Sequence, residues 1–378
     1  MARPIVREAR FDEKDLAGIW MVLRQAFPVP YGACSLANFI LAQNHKWLNN
    51  PARTTDHVFG WVLESPTDGI VGFVGQVPVR IKIAEQEIVG ASGSGFGVLP
   101  AYRNYSLILS KQLMDWGNKH FLINTTANEI SSTLNQAMGM NQIPVKDFSQ
   151  RLLWLLRPEI AVKEAVSRSR LKTLKGLTEQ FLGTNLLKGI ARLWFVRHRG
   201  LRFTCPKLSV EPIVSFTEEF NDLWENNKKD FNITTVRDCA FLTWRHCQVT
   251  SLVGRTFVFA CRDHGQLRGY IALQARSQES GYLPGHYVVT DLFYERSRRD
   301  VLHNLMNYAF EFAKAQDCSI FQVSGFSNEV VEELKTQRPY IMRDKSCPCF
   351  YKGLTDLEAK LSEEKRWWPS GADGDSNL

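Results

Sequence analysis

Two stretches of the chain carry apolar residues at three- and four-residue spacing, Ser106 to Trp116 and Val301 to Ala313, and each predicts an amphipathic helix. A short apolar run follows each one, Phe121-Leu-Ile-Asn124 and Ile320-Phe-Gln-Val323, and reads as a strand. Ahead of each helix, apolar runs flank an Asp/Gly-rich turn, which predicts a β-hairpin. In the first half Gly60 to Gly69 leads into Ile70 to Gln76; in the second, Val258 to Gly265 leads into Leu267 to Gln274. Earlier still, Phe11 to Trp20 and Phe216 to Trp224 both open as amphipathic helices. The landmarks keep their distance: Trp47 and Trp244 are 197 residues apart, as are Gly72 and Gly269. Asn128-Glu129 and Asn328-Glu329 are 200 apart, the drift that one small insertion produces. Five features in the same order predict a duplicated unit. Its content, a mostly antiparallel central sheet with helices on both faces, sets the fold class as α/β (α+β), two such domains in tandem.

A length of 378 residues suits two domains of about 150 residues with a connector. The boundaries read as 1–150 and 206–355 for the domains, 151–205 for the connector and 356–378 for a tail. No apolar run reaches the roughly 18 residues of a membrane-spanning helix. The opening Met-Ala-Arg-Pro-Ile-Val-Arg-Glu lacks the apolar core of a signal peptide, so a cytoplasmic protein is expected. The eight cysteines then read as reduced thiols. Only Cys347 and Cys349 are close, and no second Cys/His pair stands at metal-site spacing, so no metal is expected.

Charge changes the picture at one place. The net charge is +7, yet residues 151–202 alone hold twelve Lys or Arg against three Glu. The surplus of nine leaves the rest of the chain slightly acidic, which argues against a nucleic-acid surface spread over the domains. The connector has a helical pattern, with Leu171, Leu174, Leu177 and Phe181 on one face and Arg170, Lys172 and Lys175 elsewhere. It reads as a solvated crossover, a contact with an anionic membrane surface, or a dock for an acidic acyl carrier protein.

Three segments of the first half resemble the GNAT superfamily of acyl-CoA N-acyltransferases. Ile5 to Arg10, with Asp15 and Ile19 beyond, is similar to that family's first strand and helix. Val98-Leu-Pro-Ala-Tyr-Arg103-Asn-Tyr-Ser106-Leu-Ile108 is similar to its donor motif, a strand end followed by Arg/Gln-x-x-Gly-x-Gly/Ala and a helix. Asn128, with Gly139-Met140 eleven residues on, matches the Asn…Gly-Phe spacing after its fifth strand. The resemblance implies a coenzyme A thioester as acyl donor, held by Val98, Leu99, Arg103, Asn104, Tyr105, Ser106, Leu107 and Asn128. A helix N-terminus suits such a pyrophosphate, because it offers unpaired N–H groups and the positive end of the dipole. Ser106 and Ile108 stand where the family has small residues. The second half, Thr290 to Asp300, has no glycine in the equivalent loop, so it is expected to build the acceptor side or brace the first half.

Acyl transfer to an amine needs a polarised carbonyl, a base for the ammonium and an acid for the leaving thiolate. The resemblance assigns the first to the backbone N–H of Val98 or Leu99. Its usual tyrosine acid falls at Asn135, which leaves Tyr102 or Tyr105 as substitutes, or departure of the sulfur as the thiolate. The strand Ile88 to Gly97 holds no carboxylate, so the base is sought at Asp291, on the equivalent strand of the second half, or in the tail. There Trp367 and Trp368 precede Asp373-Gly-Asp375, and two tryptophans are unusual in a disordered tail. The tail either folds over a cleft and presents Asp373 or Asp375 to an amine, or is anchored by its tryptophans with both aspartates in solvent. Trp47, Asn49, Asn50 and Trp244 stand where this fold usually shapes the acceptor pocket; Trp beside amides suits a sugar, and core packing is the alternative. The expected activity is acyl transfer to the amine of a small metabolite, with an amino sugar or sugar nucleotide as the leading acceptor. A carrier-protein or aminoacyl donor is one alternative, and a catalytically degenerate binding or scaffold protein is the other.

Overall fold

The computed structural model describes residues 3–32, 34–146, 148–157, 160, 189, 193, 196–198, 200–247, 254–278, 282–343, 349–354 and 357–375. The connector's apolar face and the three basic residues named beside it lie outside the described residues, as does Cys347.

The first half begins with β1 (Ile5–Glu8) and α1 (Glu13–Ala26). Asp12 caps α1 by accepting from the Asp15 N–H, and Leu16, Ile19, Val22 and Leu23 turn its apolar stripe inward. After α2 (Leu36–Gln43) come β2 (Gly60–Ser65), β3 (Gly69–Ile83) and β4 (Gln86–Val98). Then follow α3 (Ser106–Gly117), β5 (Phe121–Asn124), α4 (Glu129–Ala137) and β6 (Asn141–Gln142). After β7 (Gln150–Leu155) the order recurs. It runs β8 (Ser209–Ile213), α5 (Glu219–Asn227), β9 (Ile233–Thr235), α6 (Cys239–His246), β10 (Gly254–Asp263) and β11 (Gln266–Arg276). It ends with β12 (His286–Tyr294), α7 (Arg299–Ala315), β13 (Ile320–Ser324), α8 (Asn328–Lys335), β14 (Tyr340–Arg343) and β15 (Phe350–Lys352).

Two mixed sheets result. The first runs β1-β2-β3-β4-β5-β15-β6, with β9 on β3; the second runs β14-β7-β13-β12-β11-β10-β8. Each is antiparallel except at one central pair, β4 with β5 and β12 with β13. The sheets do not follow the sequence halves. β15 crosses into the first sheet, where Tyr351 pairs with Ile123 and Asn141. β7 crosses the other way and fills the gap between β13 and β14, burying Trp154 in the second core. β9 continues the edge of β3 where β2 stops, pairing Ile81 to Ile83 with Thr235 to Ile233. The boundaries 1–150 and 206–355 therefore do not divide the chain into two self-contained sheets.

The tail is part of the fold. Trp367 and Trp368 are buried. The Trp368 N–H donates to the Ile233 carbonyl at 2.8 Å, and its ring packs on Phe231 and Tyr294.

Candidate active site

β4 and β5 are paired only from Gly90/Phe121 to Ser92/Ile123. Beyond Ser92, β4 carries a bulge: Phe73 faces Gly97 and Gly75 faces Ser94, so the β4 side holds one extra residue, with Gly95 at φ +64°. A bulge bends the strand that bears it, and β4 leaves β5 there. The gap is a cleft of about 510 Å³, floored by Gly93 to Leu99 and walled by Asn124, Asn128, Leu134 and Asn135. The Leu99 N–H is spent on the Val71 carbonyl at 2.9 Å. N–H groups alternate sides along an antiparallel ladder, so the Val98 N–H is the one directed to the cleft.

One end of the cleft opens at Pro100 and Arg103, beside the N-terminus of α3. No side-chain cap is seen on that helix, which runs on from a 3-10 turn at Pro100–Tyr105 whose Arg103 carbonyl accepts from the Ser106 N–H; its positive dipole end still favours an anion. Asn104 and Leu107 are exposed, and Tyr105 and Ser106 half-buried, along this same turn. Ile108 is 40% exposed and is not in the wall of the cleft. Asn128 caps α4 through a reciprocal pair of bonds with Ser131. Asn135, about two turns along, lines the cleft with its Nδ2 buried and without a partner among the described residues.

Lys46, Tyr31 and Asp375 line the cleft as well. Lys46 sits on a π-helical turn, Asn44–Leu48, the kind of irregularity that recurs at functional sites. Asp375 comes from the tail. Its Oδ1 accepts from the Thr126 hydroxyl at 3.1 Å and the Thr125 hydroxyl at 3.4 Å, and its N–H donates to Ser92 Oγ at 3.2 Å. Burial pushes the Asp375 carboxyl above its ordinary value, an effect that Lys46 and the Thr126 and Ser94 hydroxyls only partly offset. Burial likewise pulls the Lys46 ammonium down, against the opposing pull of Asp375. Lys46, Tyr31 and Thr126 carried no signal in the sequence. A lysine two residues after an asparagine in a helical run ordinarily reads as a solvated face.

The other sequence candidates lie elsewhere. Asp291 is fully buried and does not reach the cleft. It accepts from Tyr270 Oη at 2.6 Å, from Arg237 Nε at 3.2 Å and from its neighbour Leu292 N at 3.0 Å, and His246 Nε2 lies 3.4 Å away. Burial raises this carboxyl, but Arg237 with His246 and Tyr270 overcomes that and holds it well below the usual range. Asp373 is buried too, 3.4 Å from Arg237 Nη2, and accepts from the Ser370 N–H at 2.9 Å. Both aspartates are bound into structure, so neither is a free base, and the tail's aspartates are not in solvent.

Tyr102 is buried, and its hydroxyl donates to the Asp68 carboxylate with Ser65 Oγ 3.1 Å away, outside the cleft wall. Trp47 is core, packed on Phe59. Asn50 is a structural clamp, donating to the Pro78 carbonyl at 2.9 Å and accepting from the Ala52 N–H at 2.9 Å. Trp244 donates to the His45 carbonyl at 2.8 Å and stacks on the His45 ring. With Asn49 it lines a separate surface groove. At the start of α7, Arg298 is tied to Asp263 and Asp300. Among the described residues no group of three or more His, Cys, Asp or Glu is placed to hold a metal ion. No described helix is long and apolar enough to cross a membrane.

No family model matches the sequence, and neither does any curated protein. Solved structures do match in shape. A conserved protein of unknown function from Enterococcus faecalis, described as a probable N-acyltransferase, superposes with a TM-score of 0.56 at 10% identity, over 93% of this chain and 72% of its own. A GCN5-related N-acetyltransferase from Anabaena variabilis gives 0.56 at 12% identity, over 92% and 72%. N-myristoyltransferase of Saccharomyces cerevisiae with bound myristoyl-CoA gives 0.56 at 9% identity, over 93% and 83%. Likeness at such low identity speaks to architecture, and on that ground the chain has the GNAT N-acyltransferase fold, built on two mixed sheets flanked by helices.

Proposed function

We propose that the chain is an N-acyltransferase that takes an acyl group from a coenzyme A thioester in the β4/β5 cleft and passes it to the amine of a small metabolite. The observation that carries this is the cleft itself: Arg103, just ahead of the start of α3, and the carboxylate of Asp375 both line it. In this scheme Arg103 and the first turn of α3 take the pyrophosphate, and the Val98 N–H polarises the thioester carbonyl. Asp375, oriented by two threonine hydroxyls, removes a proton from the incoming ammonium. The amine nitrogen then bonds to the carbonyl carbon and the C–S bond breaks. Tyr102 is spent on Ser65 and Asp68, so the sulfur leaves as a thiolate. The Asn135 amide is the nearest candidate to hydrogen-bond it, and solvent protonates it later.

The amino-sugar expectation has lost its residues: Trp47 and Asn50 are structural, and Asn49 and Trp244 line a different groove. The proposal therefore stops at an amine. Calorimetry with coenzyme A and with acetyl-, octanoyl- and myristoyl-CoA tests the donor. Binding is expected, weakened about tenfold in Arg103→Ala, the scale of one charge-assisted contact. If no thioester binds, the acyl-CoA proposal fails, and a carrier-protein donor or a non-enzymatic role takes its place.

A further inference from the structure

Lys46 is only 8% exposed and lines the cleft together with Asp375; Asn50 Nδ2 donates to its backbone carbonyl at 3.2 Å, and no salt bridge joins its ammonium to Asp375 or to another described carboxylate. An ammonium so largely buried ordinarily has an anionic partner. The nearby carboxylates have their own partners. Asp291 and Asp373 are bound to Arg237, and Asp375 rests on the Thr125 and Thr126 hydroxyls. Arg245, buried behind the tail, donates to the Gly374 carbonyl at 3.2 Å. The cleft thus presents one ammonium and one carboxylate that are not bonded to each other.

Around them Lys46, Arg237 and Arg245, with Arg276 acting on Arg245, stand against Asp291, Asp373 and Asp375, and burial with two neighbouring arginines pulls His246 down despite Asp291. A guest that brought only an ammonium would leave a positive surplus in a desolvated site, which is unfavourable. One that brought an ammonium and a single negative group would add no net charge and meet a partner at each end. A lone lysine, without a guanidinium fork free beside it, suits a monoanionic carboxylate better than a phosphate.

We infer that the acceptor is a zwitterion of the amino-acid type, its carboxylate seated on Lys46 and its amine delivered to Asp375. This rests on the acyl-transfer proposal and narrows it. The step balances as before. The nitrogen gains a bond to the acyl carbon and loses two protons, one to Asp375 and thence to solvent, and one to the departing sulfur by way of water. The product is an N-acyl amino acid and coenzyme A.

The experiment pairs each of several α-amino acids with its own α-amide, using acetyl-, octanoyl- and myristoyl-CoA as donors and chromatography of released coenzyme A as the readout. Taurine and phosphoethanolamine serve as alternative anions. The wild type is expected to favour at least one acid over its amide about tenfold or more in kcat/KM, the scale of a charge-assisted contact. Lys46→Met should bring that ratio to about one, mainly through KM, and Lys46→Arg should restore most of it. Calorimetry with coenzyme A accompanies each variant and reads folding and donor binding apart from the acceptor. Amides used as well as acids, a ratio unmoved in Lys46→Met, or phosphoethanolamine preferred over every carboxylate each overturns the inference. So does bound coenzyme A with no acid-bearing amine accepted. Absence of coenzyme A binding in the wild type instead brings down the donor proposal beneath it.

Discussion

Three aspartates singled out from the sequence have three different surroundings. Asp291 and Asp373 share Arg237, while Asp375, two residues beyond Asp373, enters the cleft. Asp375→Asn should therefore abolish most turnover while leaving coenzyme A binding intact. A pH–rate profile reads the same residue in the wild type. Burial disfavours the carboxylate, so its folded pKa is raised and the base becomes competent only above the ordinary aspartate range. Activity should rise with pH along an acid limb displaced upward from that range, and a limb at or below the ordinary value would exclude Asp375 as the base. Asp291 should behave in the opposite way. Removing it leaves Arg237 short of its main partner in a fully buried site, so Asp291→Ala should lose about 3–5 kcal/mol of stability in denaturant unfolding. These fates were not legible in the sequence, because an aspartate's role here depends on which cation a distant segment brings to it.

At the level of elements much more was readable. The helix from Ser106, the strand from Phe121 to Asn124 and the paired hairpins all stand where apolar spacing and turn chemistry placed them. Local rules suffice for these, since each element's pattern is repeated within one or two turns or strands. The donor-side residues Val98, Leu99, Arg103 and Asn128 likewise line one cleft, because they lie on adjoining elements of one motif. The bulge that opens the cleft was not foreseen. It rests on Gly95, whose φ of +64° is a conformation that side chains rarely adopt. An added Cβ would meet Leu23 and Phe73 at 3.4 Å, ordinary contact, so the penalty of Gly95→Ala is almost wholly conformational. It should cost about 1–2 kcal/mol, and the variant should lose more coenzyme A affinity than that if β4 straightens toward β5. Unfolding and calorimetry on the same preparation separate the two effects.

Over the whole molecule, the sheets are stitched together by exchanged strands. Nothing in the spacing of Phe350-Tyr-Lys352 tells which sheet takes it; its partners, Leu122 to Asn124 and Asn141 to Gln142, are more than two hundred residues away. The same holds for β7, whose Leu152 and Trp154 belong to the second core although they follow the first half directly. Separate halves cut near residue 205 should consequently fail in complementary ways. The first would leave β5 and β6 without β15 between them, and carry β7 with its buried tryptophan and no sheet to enter. The second would leave β13 and β14 unbridged, two open strand edges of the kind that aggregate. Neither half should give a cooperative unfolding transition alone. Co-expressed, they should recover a soluble complex, because the exchanged strands and the β3–β9 pairing remain available between chains. Deleting 367–378 tests the third stitch: it removes Trp367 and Trp368 from the cores and Asp375 from the cleft together. That deletion should lower stability and erase turnover at once, whereas Asp375→Asn should erase turnover alone. The difference between the two variants measures how much of the tail serves the fold and how much the chemistry.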